Sequence, residues 1–192
     1  MTDPDELNRT LIAIATVLEK LGATWCIGGS VASSAHGEPR ATNDVDLIAA
    51  LSERSARAFV TELGPDFYAD ADSAADAVRR RASFNVIDNR SFIKVDIFVP
   101  KAGRLGLGQL DRRRWLEVVP GRSLPVLGPE DVILQKLRWY QLAGEVSDRQ
   151  WRDVVSVVRL ASPLDDSYLD EVARAEGLTD LLLRARLEAR RT

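Results

Sequence analysis

The sequence predicts an α/β (α+β) fold with a helical C-terminal part. Up to about residue 128, short apolar runs alternate with segments of helical spacing, and Gly and Pro separate them. After Gly128-Pro129 the strand patterns end and only helical spacing continues. We therefore divide the chain of 192 residues into a core at 1–128 and a C-terminal helical subdomain at 129–192.

The first elements follow from apolar spacing and from the glycines between them. A helix is predicted at 5–21, because apolar residues recur there at helical spacing until Gly22. A short buried strand at 24–27 and a short helix at 30–36 come next, and Gly37 is placed as the C-terminal cap of that helix.

Caps and turns give the remaining boundaries of the core. Ser52 is predicted as a helix N-cap, and Asp72 or Ser73 as another. Asp88-Asn89-Arg90 and Pro120-Gly121-Arg122 are turn signals between apolar runs, so two hairpins are expected. The predicted elements are a strand at 45–49, helices at 52–63 and 71–81, strands at 83–87 and 92–99, a loop with a short helix at 101–114, and strands at 115–119 and 123–127.

The C-terminal part begins with a strong helix signal. Pro129 stands at the first helical position, and Glu130 and Asp131 lie in the first turn, where the helix dipole favours acids. Two or three more helices follow. The predicted helices are 129–143, 148–160, 165–176 and 178–190.

The composition excludes several classes of protein. No apolar run approaches the ~20 residues that span a bilayer, and the polar start is unlike a signal peptide. One cysteine and one histidine exclude an intrachain disulfide and a Cys/His zinc site, so we expect a cytoplasmic protein whose metal is held by oxygen. The net charge of −3 gives no global attraction to nucleic acid, although Arg79–Arg81 and Arg112–Arg114 could bind phosphate or form ion pairs.

Two carboxylates lie two residues apart at the second predicted strand. Residues i and i+2 of a strand point to one face, so Asp44 and Asp46 have Cα atoms about 6.6 Å apart while Val45 faces the core. Such carboxylates repel each other unless a cation lies between them, and Mg²⁺ commonly uses one or two carboxylates with substrate phosphates. The alternative is a turn at Asn43-Asp44 with Asp46 simply exposed.

A third carboxylate interrupts a later apolar strand. Asp96 lies in Phe92-Ile93-Lys94-Val95-Asp96-Ile97-Phe98, and a carboxylate inside a sheet needs a cation or hydrogen-bond donors. If this strand lies beside that of Asp44 and Asp46, three carboxylates share one face. That set suits two metal ions that clamp the attacking and leaving oxygens of an in-line displacement at phosphorus. Lys94 falls on the same face, where an ion pair is favoured over a phosphate contact.

Gly28-Gly29-Ser30 joins the first strand to the second helix. Glycines allow backbone N–H groups to approach a phosphate, a helix N-terminus favours an anion, and the Ser30 hydroxyl is a further donor. The alternative is a tight turn in which Ser30 is the N-cap. The Asp pair downstream favours the phosphate-binding interpretation.

These elements together resemble the nucleotidyltransferase superfamily whose founding member is DNA polymerase beta. Gly28-Gly29-Ser30, then thirteen residues, then Asp44-Val45-Asp46 and a later strand with Asp96 follow its order. Arg40-Ala41-Thr42-Asn43-Asp44-Val45-Asp46-Leu47 is similar to the Arg-x-Thr-x-Asp-hydrophobic-Asp-hydrophobic form of its small bacterial members. The resemblance covers about residues 24–99.

The resemblance implies a nucleotidyltransferase core with a mixed β-sheet flanked by helices. It implies Mg²⁺, or Mn²⁺, as cofactor and an NTP as substrate, whose nucleoside monophosphate passes to an acceptor hydroxyl while pyrophosphate leaves. The implied catalytic and metal-binding residues are Asp44, Asp46 and Asp96. The implied nucleotide-binding residues in this core are Gly28, Gly29, Ser30, Arg40 and Thr42.

Two stretches of the helical part are similar to the abortive-infection nucleotidyltransferases. They are Gly128-Pro129-Glu130-Asp131-Val132-Ile133-Leu134-Gln135-Lys136-Leu137 and Asp148-Arg149-Gln150-Trp151-Arg152-Asp153-Val154. Those nucleotidyltransferases are the toxins of type IV toxin–antitoxin pairs, in which a helix lysine and a later aspartate reach the active site. This resemblance implies that Lys136 contacts NTP phosphates, that Asp148 or Asp153 is an additional site residue, and that an antitoxin is a partner. The alternative for Lys136 is a surface position.

The remaining candidates have structural interpretations. Cys26 lies in an apolar strand and is predicted to be inert, and His36 is predicted to cap or pack rather than to act as a base. The aromatic side chains are predicted to pack in the core or between helices, and base stacking is the alternative for Trp139 and Tyr140.

The sequence therefore predicts a Mg²⁺-dependent nucleotidyltransferase with no membrane partner. A non-catalytic nucleotide- or partner-binding module on the same scaffold is the alternative. A metal-dependent phosphohydrolase would explain the carboxylates but not the Gly-Gly-Ser turn before them. The acceptor stays open among an RNA or tRNA end, a protein hydroxyl and an aminoglycoside-like small molecule.

Overall fold

A mixed β-sheet is the framework of the protein in the computed structural model, which describes residues 4–191. The strand order across the sheet is β3-β4-β5-β2-β1-β7-β6. The strands are β1 (Thr24–Ile27), β2 (Asp44–Ala50), β3 (Phe67–Tyr68), β4 (Ser83–Asp88), β5 (Lys94–Phe98), β6 (Arg114–Val119) and β7 (Arg122–Val126). The pairs β2–β5 and β1–β7 are parallel, and the other neighbouring pairs are antiparallel.

Helices cover this sheet and make up the C-terminal part of the chain. The helices are α1 (Pro4–Lys20), α2 (Gly29–His36), α3 (Glu53–Leu63), α4 (Ala71–Arg80), α5 (Leu107–Asp111), α6 (Pro129–Leu142), α7 (Asp148–Leu160), α8 (Asp166–Ala175) and α9 (Thr179–Ala189). The predicted α/β fold with a mixed sheet is confirmed. Both predicted hairpins, β4–β5 and β6–β7, are present as antiparallel pairs.

Local signals account for most boundaries. Ser52 caps α3, because its side chain accepts a hydrogen bond from the Ser55 backbone N–H, as predicted. The cap predicted for α4 at Asp72 or Ser73 is wrong. Asp70 holds that position and accepts a hydrogen bond of 2.7 Å from the Ser73 N–H, so α4 begins before Asp72.

One strand escaped prediction because it is too short for a periodic pattern. Phe67 and Tyr68 pair with Asp88 and Ile87 at the edge of the sheet, after a 3₁₀ turn at Gly64–Asp66. Two residues carry no detectable alternation, and their pairing partners Asp88 and Ile87 belong to a later strand. The strand therefore depends on β4 rather than on its own sequence.

A single apolar cluster lies between the sheet and the helices. Ile14 of α1, Leu47 of β2, Ile97 of β5 and Ile133 of α6 are all fully buried in it. The start of the C-terminal part therefore packs on the same core as the sheet. The division into domains at 1–128 and 129–192 stays a prediction, and residues 1–3 and 192 of those two segments lie outside the described residues.

No helix within residues 4–191 is both long and apolar enough to cross a bilayer.

Candidate active site

A row of charged side chains lies on one face of the two central parallel strands. The register pairs Asp44 of β2 with Lys94 of β5, and Asp46 with Asp96. Val45, between the two aspartates, is fully buried, so the charged residues share the opposite face. The strand that carries Asp96 therefore lies beside that of Asp44 and Asp46, which fulfils the condition for three carboxylates to share one face.

The environment of Asp46 reflects this crowding of negative charge. The pKa of Asp46 is raised to about 6, first by burial and then by the charges of Asp44 and Asp96, while Lys136 and Lys94 act in the opposite direction. Near neutral pH this face therefore carries carboxylates that repel one another. A cation bound there would relieve the repulsion.

Two of the carboxylates already have partners in the protein. Lys94 Nζ lies 2.7 Å from Asp96 Oδ2, which is the ion pair that the strand pattern predicts. The Thr42 hydroxyl donates a hydrogen bond of 2.7 Å to Asp44 Oδ1. Thr42 thus orients a carboxylate, and its predicted nucleotide contact stays a prediction.

The side chains of the carboxylate row are of the chemical type that the predicted metal binds. Oxygen ligands on neighbouring strands are the chemistry that Mg²⁺ and Mn²⁺ prefer, and the charges of Asp44 and Asp96 add to the effect of burial in raising the pKa of Asp46. Among the residues that the structure describes, however, no three His, Cys, Asp or Glu side chains form a group that could hold a metal ion. Metal binding by Asp44, Asp46 and Asp96 therefore stays a prediction that the chemistry of the donors supports.

The Gly-Gly-Ser turn lies directly against this row. The Gly28 N–H donates a hydrogen bond of 2.8 Å to the carbonyl oxygen of Asp46. Gly29 has φ of +54°, and a Cβ atom on it would lie 1.7 Å from Asp46 Oδ2. Only glycine fits there, because any side chain would collide with the carboxylate and the backbone is left-handed. The backbone of the turn is therefore in direct contact with the Asp46 carboxylate, and each fixes the position of the other.

Ser30 has a different role from the one that a simple turn would give it. Gly28 holds the N-cap position of α2 without a side-chain cap, and Ser30 lies inside the first turn of the helix. The alternative in which Ser30 is the N-cap is therefore wrong. Its hydroxyl instead accepts a hydrogen bond from Arg40 Nη2.

Arg40 and Lys136 meet at one carboxylate, that of Asp153. Arg40 donates from Nε to Asp153 Oδ1 and from Nη2 to Oδ2, both at 2.9 Å. Lys136 Nζ donates to Asp153 Oδ2 at 2.7 Å. Two cations thus share one negative charge, and the cluster carries a net positive charge beside the Ser30 hydroxyl.

Burial decides two alternatives that the sequence left open. Lys136 is only 6% exposed, so its interpretation as a surface lysine is wrong. Burial lowers the pKa of Lys136, and Asp153 counteracts that effect. Hydrogen bonds from Arg40 and Lys136 outweigh burial at Asp153 and hold the pKa of this carboxyl below its ordinary value. Asp148 lies exposed in the first turn of α7, so Asp153 is the aspartate that the fold brings to the predicted site residues.

A cleft of about 780 Å³ opens above Asp46 and the Gly-Gly-Ser turn. One wall is a face of α6 with Lys136 and Trp139, and the other includes the end of β5 and the loop 101–106. Trp139 is 55% exposed, so the predicted core position of this residue is wrong, whereas Tyr140 is buried as predicted. A second cavity of about 550 Å³ lies against α4 and β4, shares only Ser83 with the cleft and contains none of the predicted site residues.

The arginine run at 112–114 is not part of this cleft. Arg112 donates two hydrogen bonds, of 2.9 and 2.6 Å, to the fully buried carboxylate of Asp131, and Arg114 lies 3.4 Å from Glu130. These two arginines therefore join the β6 region to the first turn of α6. Of the two predicted roles, phosphate binding and ion pairing, the structure shows ion pairing for Arg112 and Arg114.

The two reactive side chains with structural interpretations are placed as predicted. Burial raises the pKa of Cys26 to about 12, so the thiol stays protonated at neutral pH. His36 Nε2 lies 2.7 Å from the carbonyl oxygen of Leu127, and burial lowers the pKa of this imidazole. Neither residue lines the cleft.

The fold matches those of solved nucleotidyltransferase structures. The chain is similar to the antibiotic-resistance factor ANT(2″)-Ia, with a TM-score of 0.61 and 16% identity over 97% of this chain and 98% of that chain. It is also similar to an antigenic nucleotidyltransferase-like protein from Paracoccidioides brasiliensis, with a TM-score of 0.58 and 20% identity over 97% of this chain and 95% of that one. A proposed nucleotidyltransferase from Thermotoga maritima gives a TM-score of 0.53 and 18% identity over 80% of this chain and 96% of that chain.

These similarities concern structure rather than sequence. No protein-family model matches the chain, and no curated protein matches it in a sequence search. At identities of 16–20%, the comparisons establish the nucleotidyltransferase fold and leave the activity to be argued from the residues of the cleft.

Proposed function

We propose that the protein is a Mg²⁺-dependent nucleotidyltransferase, which transfers a nucleoside monophosphate from an NTP to an acceptor hydroxyl and releases pyrophosphate. The observation that carries the proposal is the pairing of Asp46 with Asp96 across β2 and β5, with Gly29 directly against the Asp46 carboxylate. A phosphate turn and a carboxylate row in contact are what phosphoryl transfer between oxygens requires.

The triphosphate is assigned to the side of the cleft formed by α2 and α6. The N-terminus of α2 presents backbone N–H groups at Gly29 and Ser30, and helix N-termini favour anions. Arg40 and Lys136 add two cations against the single charge of Asp153. This side therefore supplies positive charge where pyrophosphate accumulates negative charge during the reaction.

The carboxylates are assigned to the metal and to the acceptor. Asp44, Asp46 and Asp96 would hold Mg²⁺, which neutralises phosphate charge and polarises the reacting oxygens when bound. Because Lys94 now neutralises Asp96, we expect metal binding and the Lys94–Asp96 ion pair to compete. Mn²⁺ has the same preference for oxygen ligands and is expected to substitute.

The chemical step follows from these positions. The acceptor oxygen forms a bond to the α-phosphorus, and the bond from that phosphorus to the oxygen bridging the β-phosphate breaks. The proton of the acceptor hydroxyl passes to a carboxylate of the row, and Asp96 is our assignment for the base. Pyrophosphate leaves toward Arg40 and Lys136. Most of the acceleration comes from orientation and charge neutralisation.

The non-catalytic binding module is not favoured, because all three carboxylates and the glycine turn are in place. Calorimetry with each NTP and Mg²⁺, run beside a pyrophosphate-release assay with total RNA and cell lysate as acceptors, separates the two functions. The enzyme releases pyrophosphate in an EDTA-sensitive reaction, and α-labelled NTP marks the acceptor. Tight nucleotide binding with no pyrophosphate and no label over all acceptors would establish the module instead.

We infer a toxin of a toxin–antitoxin pair as the finer assignment, with an antitoxin as partner and the cytoplasm as its location. The contact of Lys136 with Asp153 supports the likeness to the abortive-infection group, in which a helix lysine and a later aspartate reach the site. An adjacent antitoxin-like reading frame whose product relieves growth arrest on co-expression is the expected result. Unimpaired growth of cells that express the active enzyme alone would contradict the toxin assignment.

A further inference from the structure

We propose that the acceptor is the end of a single-stranded polynucleotide, whose phosphates are held by Arg81 and Lys101 on the wall of the cleft opposite α6. The inference rests on the proposed function for the direction of the reaction. It goes beyond that function by choosing one acceptor class among the RNA end, the protein hydroxyl and the aminoglycoside-like molecule.

The direction of the reaction fixes the side from which the acceptor enters. In an in-line displacement, the attacking oxygen approaches opposite the leaving group. The leaving pyrophosphate is assigned to the Gly29-Ser30 turn, which follows β1. In the sheet, β5 and β4 lie on the other side of β2 from β1. The acceptor hydroxyl therefore approaches over β5, where Asp96 lies.

That side of the cleft is positively charged. Arg81, Lys101 and Arg104 line it, and the cleft-lining residues at 81–83 and 98–106 include no acidic side chain. Arg104 is 2.6 Å from Glu171, so its charge is compensated. Arg81 and Lys101 form no ion pair with any residue in the described part of the chain. Two cations thus face the entry path of the acceptor without counter-charges.

Arg81 stands apart from the two arginines that precede it. Arg79 and Arg80 both pair with Asp76 on α4. Arg81 is the C-cap of α4 in a left-handed conformation with φ of 50°, and its N–H donates to Ala77 and Val78 carbonyls. The helix end therefore separates this one arginine from its neighbours and leaves it on the cleft.

These charges select among the acceptor classes. Two uncompensated cations repel an aminoglycoside-like polycation and attract phosphates. Phe98 and Leu105 are half-buried on the same wall and offer an apolar surface to a base, which favours a polynucleotide over an acidic peptide. The cleft of about 780 Å³ has the size of a small-molecule site, so only the end of a strand enters it.

The test measures binding of a strand without catalysis. The probe is a fluorescein-labelled, single-stranded RNA 10-mer with a free 3′ hydroxyl, followed by fluorescence anisotropy in EDTA without NTP between 50 and 200 mM salt. The variant is the double substitution Arg81→Ala/Lys101→Ala. The matched control is Arg54→Ala/Arg174→Ala, which also removes two exposed positive charges. Neither arginine forms an ion pair among the described residues, and neither lines the cleft.

We expect the cleft variant to bind the RNA at least about 10-fold more weakly than the wild type. Loss of two phosphate contacts lowers the slope of log affinity against log salt by about 1.4 for a single strand. The control should change the affinity less than 2-fold, on the order of a remote charge effect. Equal affinity of the cleft variant and the wild type, or an equal loss in the control, would overturn the inference.

Further measurements compare the RNA with other ligands. They also distinguish a failure of this inference from a failure of the proposed function. A free mononucleotide should compete weakly with the RNA, and an aminosugar polycation, which the carboxylate row attracts, should bind the cleft variant no more weakly than the wild type. Label that passes from NTP to protein or aminosugar but not to the RNA overturns the inference and leaves the proposed function in place. RNA binding that depends on Arg81 and Lys101 with no label on any acceptor overturns the proposed function and leaves only the strand-binding surface.

Discussion

The carboxylate of Asp153 holds the guanidinium of Arg40 through two hydrogen bonds of 2.9 Å, although 113 residues separate them in the chain. Lys136 donates to the same carboxylate at 2.7 Å. Asp153 is thus the residue through which α7 fixes both cations that we assign to the triphosphate. The C-terminal helices therefore contribute to the site as well as to the core.

Removal of the Asp153 charge is expected to destabilise the protein. Asp153→Asn leaves Arg40 and Lys136 half-buried or buried without a counter-charge, and breaking such a buried pair costs about 3–5 kcal/mol. Urea unfolding at pH 7.5 measures the change. Asp148→Asn is the matched control on the same helix, where the exposed side chain should change stability by less than about 1 kcal/mol. Equal effects of the two substitutions would contradict the shared role of Asp153.

The contact between Gly29 and Asp46 gives a second prediction. Gly29→Ala places a methyl group where the Asp46 carboxylate now lies, and nucleotidyl transfer should fall by about 100-fold, because a displacement of about 1 Å has that effect on a reacting group. Gly22→Ala is the control, since Gly22 also has positive φ, +65°, but nothing lies within 4 Å of its added Cβ. It should lose about 1–2 kcal/mol of stability and keep its activity. Similar activities of the two variants would argue against the contact.

The pKa of Asp46 predicts a stability effect with a defined sign. Because its pKa is about 6 in the folded protein and 3.8 ordinarily, ionisation of Asp46 opposes folding as pH rises from about 4 to about 6. Asp46→Asn should therefore raise the free energy of unfolding in EDTA at pH 7.5 by about 1–3 kcal/mol. The gain should shrink to about a third at pH 4.5, where the folded protein keeps Asp46 protonated.

The same two proteins, measured with Mg²⁺ in place of EDTA, test whether the carboxylate row binds the metal. If the carboxylate row binds the metal, adding Mg²⁺ at pH 7.5 should raise the melting temperature of the wild type and not that of Asp46→Asn. A lower free energy of unfolding for Asp46→Asn than for the wild type at pH 7.5 would contradict the mutual repulsion of the carboxylates. An equal rise in melting temperature of both proteins with Mg²⁺ would contradict metal binding by this row. Calorimetric scans measure both the free energy of unfolding and the melting temperature.

Trp139 is predicted to stack on the base of the bound NTP. It lies one turn after Lys136 on α6, lines the cleft and is 55% exposed. Stacking of a base on an aromatic ring contributes about 1–3 kcal/mol, so Trp139→Ala should weaken NTP binding by about 5- to 100-fold. Equilibrium dialysis with NTP and with inorganic tripolyphosphate measures this, and only the NTP should lose affinity. Trp115→Ala is the control, because Trp115 is 59% exposed on β6 away from the cleft, and it should bind NTP like the wild type.

Local patterns in the sequence predict much of this fold. The bounds of Thr24–Ile27 and Asp148–Leu160 coincide with their predictions, because caps and apolar spacing define them. The face shared by Asp44, Asp46 and Asp96 could likewise be predicted, since alternation along a strand is a local property. Whether their strands are neighbours could only be stated as a condition, which the fold fulfils.

The rest depends on tertiary packing that no local signal encodes. The contact of Arg40 with Asp153, the pairing of Arg112 with buried Asp131 and the exposure of Arg81 on the cleft are decided by where distant elements meet. The arginine runs Arg79–Arg81 and Arg112–Arg114 look alike in the sequence, but the second lies against α6 and only Arg81 of the first lines the cleft. Charge patterns therefore predict candidates, and packing selects among them.

Transfer of label from α-labelled NTP by the wild type, Asp46→Asn and Asp96→Asn tests the central claim most directly. In the presence of Mg²⁺ and total RNA, the wild type should label an acceptor and release pyrophosphate, and both variants should lose at least about 100-fold of that rate. Asp148→Asn, whose carboxylate lies exposed outside the cleft, should label the acceptor at the rate of the wild type. Full transfer by Asp46→Asn would contradict the assignment of nucleotidyl transfer to this carboxylate row.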